Sequence, residues 1–324
     1  MTRHHLVPQM YLRRFVDAKE QLLMVNRLNP SDRHLSSMRR ACREVGYYEI
    51  PIEDLEESGR AGHDTEVVEK LLSEIEGTAN LRLAELVEGG CPPTHEVRFR
   101  LSLFFALQMA RGAAFRRTMD EVAMKLAPAW LDVEFSEENI RRRSEERDEE
   151  VTQDFIDEIR AFVTGPNGPK PAFRQAHYVQ QALAHALQLQ EHLFMRVWRV
   201  LQFDAPALIT SDEPVAVLIG NGGLPTGPAN ARAIWVPLDR QHALAMTLNG
   251  TEGFVRSGPT RAHSINQLVA DQAERWIICH PEDASFIPPT FGPRLEWRDE
   301  VVGSYVVGDE LHEQHILIRR SVQD

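Results

Sequence analysis

The chain predicts an α+β fold, a helical middle segment packed on a mainly antiparallel sheet, and three observations predict it. Long helical patterns fill about residues 60–203. Short apolar runs punctuated by turn residues fill about residues 204–324. Two further strand-like runs stand near the N-terminus, placed to join the sheet of the C-terminal third and tie both ends into one domain, 1–324.

Each element follows from its local pattern. Gln21–Leu28 and Tyr47–Ile50 read as short strands separated by a polar stretch. Residues 63–88 read as a helix, because Val67, Leu71, Ile75, Ala79, Leu83 and Val87 recur every four residues and Gly89-Gly90 stops the run. Pro92-Pro93-Thr94 opens a second helix to about Leu126, apolar nearly all round between Phe104 and Arg111, which places it at the centre of the core. Residues 136–163 read as a third helix, with a Glu/Arg-rich solvated first half. Gly165–Pro171 breaks the chain, and a fourth helix runs from about Ala172 to Gln202. Strands follow at 207–210, 215–219, 233–236 and 243–248, then a helix near 260–275, a strand at 276–279 and a closing hairpin in the tail.

Composition narrows the function classes. The net charge of −12 argues against sequence-blind nucleic-acid binding, which needs a basic surface. The charge is uneven: residues 1–43 carry a net +6 and residues 134–158 a net −7. A basic N-terminal region can meet an anion or pack on the protein's own acids. Three dispersed cysteines, Cys42, Cys91 and Cys279, form neither a disulfide framework nor a zinc motif and fit a reducing compartment. No apolar run reaches the roughly 18–20 residues of a membrane span. The start of the chain has no continuous apolar stretch of the secretory kind. The expectation is a cytoplasmic protein without a membrane partner. P-loop, GxGxxG, HExxH and paired CxxC motifs are missing, so ATP, NAD and structural zinc lose support.

Five constellations can carry chemistry, and each has a structural alternative. His5, Gln9 and Arg13 recur every four residues around Pro8; they form a site wall or satisfy a docked terminus. Gln108 and Arg111 lie one turn apart on the apolar helix and make an anion clamp or a buried ion pair. Glu76 flanks the buried stripe, where it serves as metal ligand or base, or pairs with Arg111. Ser211 and Asp212 stand where a strand meets a turn; Asp212 ligates a hard cation, or both residues do turn chemistry. Asn266 faces the site or satisfies a loop. His177, His185 and His192 are spaced too widely for a helical metal pair.

These segments together resemble a bacterial family, domain of unknown function 4238. The resemblance rests on His5–Phe15 with its Pro8-Gln9 and Tyr11-Leu12, on Ile75-Glu76, on Ala106–Arg111, on Leu208–Pro214 and on Asn266. It implies that polar residues from distant segments meet in space, and it carries no activity, substrate or cofactor. Glu213 departs from the smaller or amide residue the resemblance leads one to expect, which puts its role in doubt.

Two functions fit these residues. One is a metal-assisted phosphodiesterase or nuclease. In it Asp212 and Glu76 hold Mg²⁺ or Mn²⁺, His5 is the general base, and Arg111, Gln108, Gln9, Arg13, Ser211 and Asn266 hold a nucleic acid or other phosphate. The other is a non-catalytic binding or sensing protein for a small anionic ligand.

Overall fold

The computed structural model describes residues 3–51, 67–170, 172–219 and 227–293, and the backbone of 295–307 and 310–321. The chain divides into two compact units, one of Met1–Arg116, Arg174–Glu296 and Arg319–Asp324, the other of Arg117–Phe173 and Trp297–Ile318.

The first unit begins with β1 (Arg3–His5), the single turn α1 (Gln9–Leu12) and a 3-10 turn to Phe15. Pro8 starts the turn, and the amides of Tyr11 and Leu12 bond back to its carbonyl. Strands β2 (Gln21–Asn26), β3 (Asn29–Ser37) and β4 (Arg43–Val45) follow. The polar stretch expected to separate two strands is itself β3, almost wholly exposed at a sheet edge, where polar side chains meet water. Tyr47–Ile50 is a turn and not a strand; its two tyrosines are buried side by side.

Helices α2 (Val67–Val87) and α3 (His95–Ala110) pack together. Residues 63–66, expected at the start of α2, lie outside the described residues. Thr94 caps α3 by accepting from the Val97 amide, and α3 is buried on most sides, as its composition predicts. The second helix does not run on to Leu126. It stops at Arg111-Gly112, and α4 (Ala113–Glu134) starts afresh, its first amides capped from outside by the Glu213 carboxylate. After Arg174 the unit resumes with α7 (Gln175–Phe194), packed on α3. The chain then turns to strand: β5 (Val197–Gln202) occupies what reads as the end of the fourth helix.

The central sheet has the order β10-β5-β9-β8-β7, where β7 is Ala216–Leu218, β8 Ala233–Pro237, β9 His242–Thr247 and β10 Gly253–Arg256. All its pairings are antiparallel except β10 with β5. A second sheet, β3-β2-β11-β6, joins β6 (Thr210–Ser211) and β11 (Trp276–Cys279) to the N-terminal strands, so the first of the two expected early strands pairs with a late one, and its other neighbour is β3 in place of Tyr47–Ile50.

The central sheet separates two cores. One face carries Trp198, Val200, Ile234, Val236, Leu244 and Met246 toward the residues of α1, α2, α3 and α7. The other carries Leu201, Ala216, Ala233, Trp235, Ala243 and Ala245 toward α8 (Pro259–Gln272). Side chains alternate between faces along a strand, so the sequence pattern assigns both sets.

In the second unit, the residues read as one helix from 136 to 163 form two, α5 (Glu137–Glu145) and α6 (Gln153–Thr164), each with a hydroxyl cap, Ser136 and Thr152. Ala127, Leu131 and Val163 make a small core with Phe135 and Ile159. The tail forms the expected two-stranded sheet of β12 (Leu295–Val307) and β13 (Glu310–Ser321).

Candidate functional site

At the N-terminus, β1 pairs with β4 so that His5 lies opposite Arg43. His5 is half-buried, and its Nε2 meets the Arg39 carbonyl at 3.2 Å. A carbonyl only accepts, so Nε2 carries the proton and Nδ1 keeps the lone pair. Burial, with Arg43 and Arg111 nearby, lowers its pKa, so the ring is neutral at pH 7. Gln9 is half-exposed and Arg13 exposed. The buried polar groups here are their neighbours. His4 accepts from the Tyr48 amide at 3.0 Å through Nδ1. Tyr11 donates to the Pro237 carbonyl at 2.6 Å and lies 2.9 Å from the Thr210 hydroxyl.

Glu76, Gln108 and Arg111 do come together. Arg111 is buried and donates through Nη1 to Glu76 Oε1 at 2.7 Å. With the Gln108 amide turned oxygen-first, it accepts from Arg111 Nε at 3.0 Å and Nη2 at 2.5 Å. Tyr48 donates to the Arg111 carbonyl at 3.4 Å. Beside Arg111 lies a slot of about 20 Å³ lined by Tyr47, Tyr48, Leu72 and Leu107, room for one water.

The turn after β6 is a second polar knot. Asp212 Oδ1 accepts from the Glu274 amide at 2.9 Å, and Oδ2 from those of Arg275 at 2.8 Å and Trp276 at 2.9 Å. Burial pushes its carboxyl up to about 6, against the lowering pull of those three N–H bonds. Ser211 Oγ donates to the Glu213 carbonyl at 2.9 Å and accepts from its amide at 3.2 Å. Asn266 accepts from the Ile209 amide at 3.2 Å and donates to the Ala207 and Phe286 carbonyls at 2.9 and 3.3 Å. Glu213, whose role the sequence leaves in doubt, caps α4 through the Ala114 amide at 3.1 Å. A Cβ on Gly112 would overlap that carboxylate.

These partners bear on the expected cation. Asp212 spends its oxygens on three amides and Glu76 one of its own on Arg111, and among the described residues no group of three His, Cys, Asp or Glu side chains can hold a metal ion. This donor set does not fit the Mg²⁺ or Mn²⁺ centre expected of Asp212 and Glu76.

A different site opens on the α8 side of the central sheet. A cavity of about 580 Å³ is walled by Arg199, Arg232, Arg256 and Arg261 over a floor that includes Ala233, Ala245, Thr247 and Trp235. The floor follows from register. Arg199 pairs with Ala245, and Ala245 pairs with Trp235, so one row crosses three strands as cation, methyl, indole. The small alanines leave the depression, and α8 fills only part of this face. Arg199 is held by the Thr251 carbonyl at 2.7 Å and the Asn249 carbonyl at 3.4 Å. It lies against Gly250, whose φ of +122° and missing Cβ leave space for the guanidinium. Arg261 stands 5.6 Å over the Trp235 ring. Among the described residues, Arg232 and Arg256 have no ion pair or side-chain hydrogen bond, and no carboxylate lines the cavity.

The family described as "Protein of unknown function (DUF4238)" matches residues 3–283. The chain belongs to this family. No curated protein and no solved structure matches it. The DUF4238 match runs from Arg3 to Asp283, so it takes in both knots and the cavity. No described helix is long and apolar enough to cross a membrane.

The cavity arginines escape the sequence reading for a definite reason. Arg199 falls in what reads as the end of a helix, Arg256 in a strand too short to read, and the four share no spacing. The usable signal is the alternation Arg199, Leu201 on a strand whose other face is Trp198, Val200.

Proposed function

We propose that this DUF4238 protein binds an anionic ligand, in the cavity on the central sheet. The observation that carries the reading is four arginines around one cavity of about 580 Å³, with no carboxylate in its lining among the described residues. Guanidinium groups gathered around one cavity repel each other, and an anion that enters relieves the repulsion. The volume lies within the range of small-molecule sites. The lining offers cations and the hydroxyls of Thr247 and Ser257, but no His, Cys, Asp or Glu to act as base, which favours binding over chemistry there.

The phosphodiesterase reading asks more of the same molecule. Asp212 has to release three amides, and Glu76 has to leave the buried Arg111 without its partner carboxylate.

Thermal unfolding with added sulfate, citrate and pyrophosphate tests the proposal. The expected result is a rise in Tm that grows with anion concentration and disappears when Arg232, Arg256 and Arg261 are all replaced by Gln. No rise with any anion, or an equal rise in the triple variant, overturns it.

A further inference from the structure

Resting on that reading, we infer that the ligand is a small molecule carrying two or more linked phosphoryl groups, rather than a single anion or a nucleic-acid strand.

The first ground is the spacing of the cations. Arg199 and Trp235 belong to one cross-strand row, two strands apart with Ala245 between them, which separates their backbones by about 10 Å at the usual strand spacing. Arg261 sits on Trp235, so the lining has a guanidinium group at each end of this row. Arg232 precedes Ala233 on the Trp235 strand, about 10 Å further along it at some 3.3 Å per residue. A lone tetrahedral anion at one end leaves the guanidinium at the other unanswered. A chain of phosphoryl groups reaches both.

The second ground is charge. Among the described residues the cavity wall carries four guanidinium groups and no acid, so a singly charged ligand leaves most of the positive charge uncompensated. Each terminal phosphoryl brings roughly −1.5 to −2 in few atoms, whereas a carboxylate brings one. Guanidinium forks also donate two N–H bonds to one phosphoryl group.

The third ground separates a small ligand from a polymer. The whole chain has a net charge of −12. Within a Debye length of about 8 Å the arginines dominate, so a ligand confined to the cavity meets positive potential. A nucleic-acid strand long enough to leave the cavity carries phosphates beyond the reach of these arginines, on a protein chain whose net charge is −12.

Calorimetric titration of the full chain at physiological ionic strength, with orthophosphate, pyrophosphate, tripolyphosphate, citrate and a single-stranded oligonucleotide, decides the matter. Affinity is expected to rise at least tenfold from orthophosphate to tripolyphosphate. It is expected to fall about tenfold for each of Arg232→Gln, Arg256→Gln and Arg261→Gln, the scale of one charge-assisted hydrogen bond. Tryptophan emission should change on binding and not in Trp235→Phe, because the ligand draws Arg261 from the indole. If orthophosphate binds as tightly as tripolyphosphate, or citrate binds more tightly, the phosphoryl-chain inference is overturned and anion binding stands. An oligonucleotide that displaces tripolyphosphate at equal phosphate concentration overturns the preference for a small ligand. If none of these probes binds, or the arginine variants bind unchanged, both the inference and the reading beneath it fall.

Discussion

Two polar regions of this protein are built to opposite rules. In the knot around Asp212 and Asn266, each carboxylate, amide and hydroxyl has its partners among nearby backbone groups, and the effect is to fasten β6, α8 and the entry to β11 together. In the arginine cavity, two of four guanidinium groups have no polar partner among the described residues, and a third touches only an aromatic ring. A satisfied polar group stabilises the fold. A cation left open beside a cavity is what the proposed anion would pair with. Substitutions should therefore divide cleanly, with stability lost at the knots and ligand affinity lost at the cavity.

The largest stability effect belongs to Glu76. Glu76→Ala leaves Arg111 buried with only the Gln108 oxygen and no counter-charge, which should cost about 3 kcal/mol in denaturant unfolding, the lower end for a broken buried pair because Glu76 is partly exposed. Replacing both partners, Glu76→Leu with Arg111→Met, should recover part of the loss. A change below about 0.5 kcal/mol would mean the pair is not structural, and the contrast between the regions would fail.

Asp212→Asn comes next. An amide offers one oxygen where three N–H groups now find two, so a loss of about 1–3 kcal/mol is expected. The pH dependence sharpens the point. Burial raises this carboxyl to about 6 in the fold, above its value in the unfolded chain. A raised carboxyl contributes most when protonated, so its contribution is fully present below about pH 4 and is lost as pH rises through about 6. The cost of Asp212→Asn, measured by unfolding at pH 4 and pH 7, should then be greater at pH 4. The opposite order would show that the three N–H bonds outweigh burial.

Much of this contrast was legible in the sequence, and the illegible part has a physical cause. Periodicity located α3, α8, β8, β9 and β11, because an apolar face has to recur at the spacing of its element. It failed where polarity was the point: β3 is exposed on an edge and carries no apolar alternation. It also merges α3 with α4, since the break at Gly112 is fastened by Glu213, 101 residues away along the chain and invisible locally. The same limit governs the sites. The Glu76–Arg111 pair is one of the two alternatives the sequence offers, because both residues flank the buried stripes of neighbouring helices, and it is the one the structure shows. Asp212 reads equally well as ligand or staple until its three amide partners appear. The cavity needs the register of three strands, which no local pattern supplies.

Gly250 links stability to ligand affinity and should show an intermediate effect on the fold. Its φ of +122° suits glycine, and an added Cβ would collide with the Arg199 guanidinium. Gly250→Ala is expected to cost about 1 kcal/mol or more through backbone strain alone. It should also weaken anion binding, because Arg199 is pushed away from the Asn249 and Thr251 carbonyls that hold it. Full affinity in this variant would remove Arg199 from the site.

The smallest expected effect on the fold is the most informative for the comparison. Arg232, Arg256 and Arg261 are exposed, and none is tied by an ion pair among the described residues. Each change to Gln should leave stability without ligand within about 0.5 kcal/mol of the parent. Removing all three should even stabilise the free protein slightly, at low salt above all, since like charges no longer gather around one cavity. That gain should shrink as salt rises and vanish for the parent saturated with anion. A triple variant less stable than the parent at low salt would mean these arginines are already answered within the protein. The cavity would then obey the same rule as the knots.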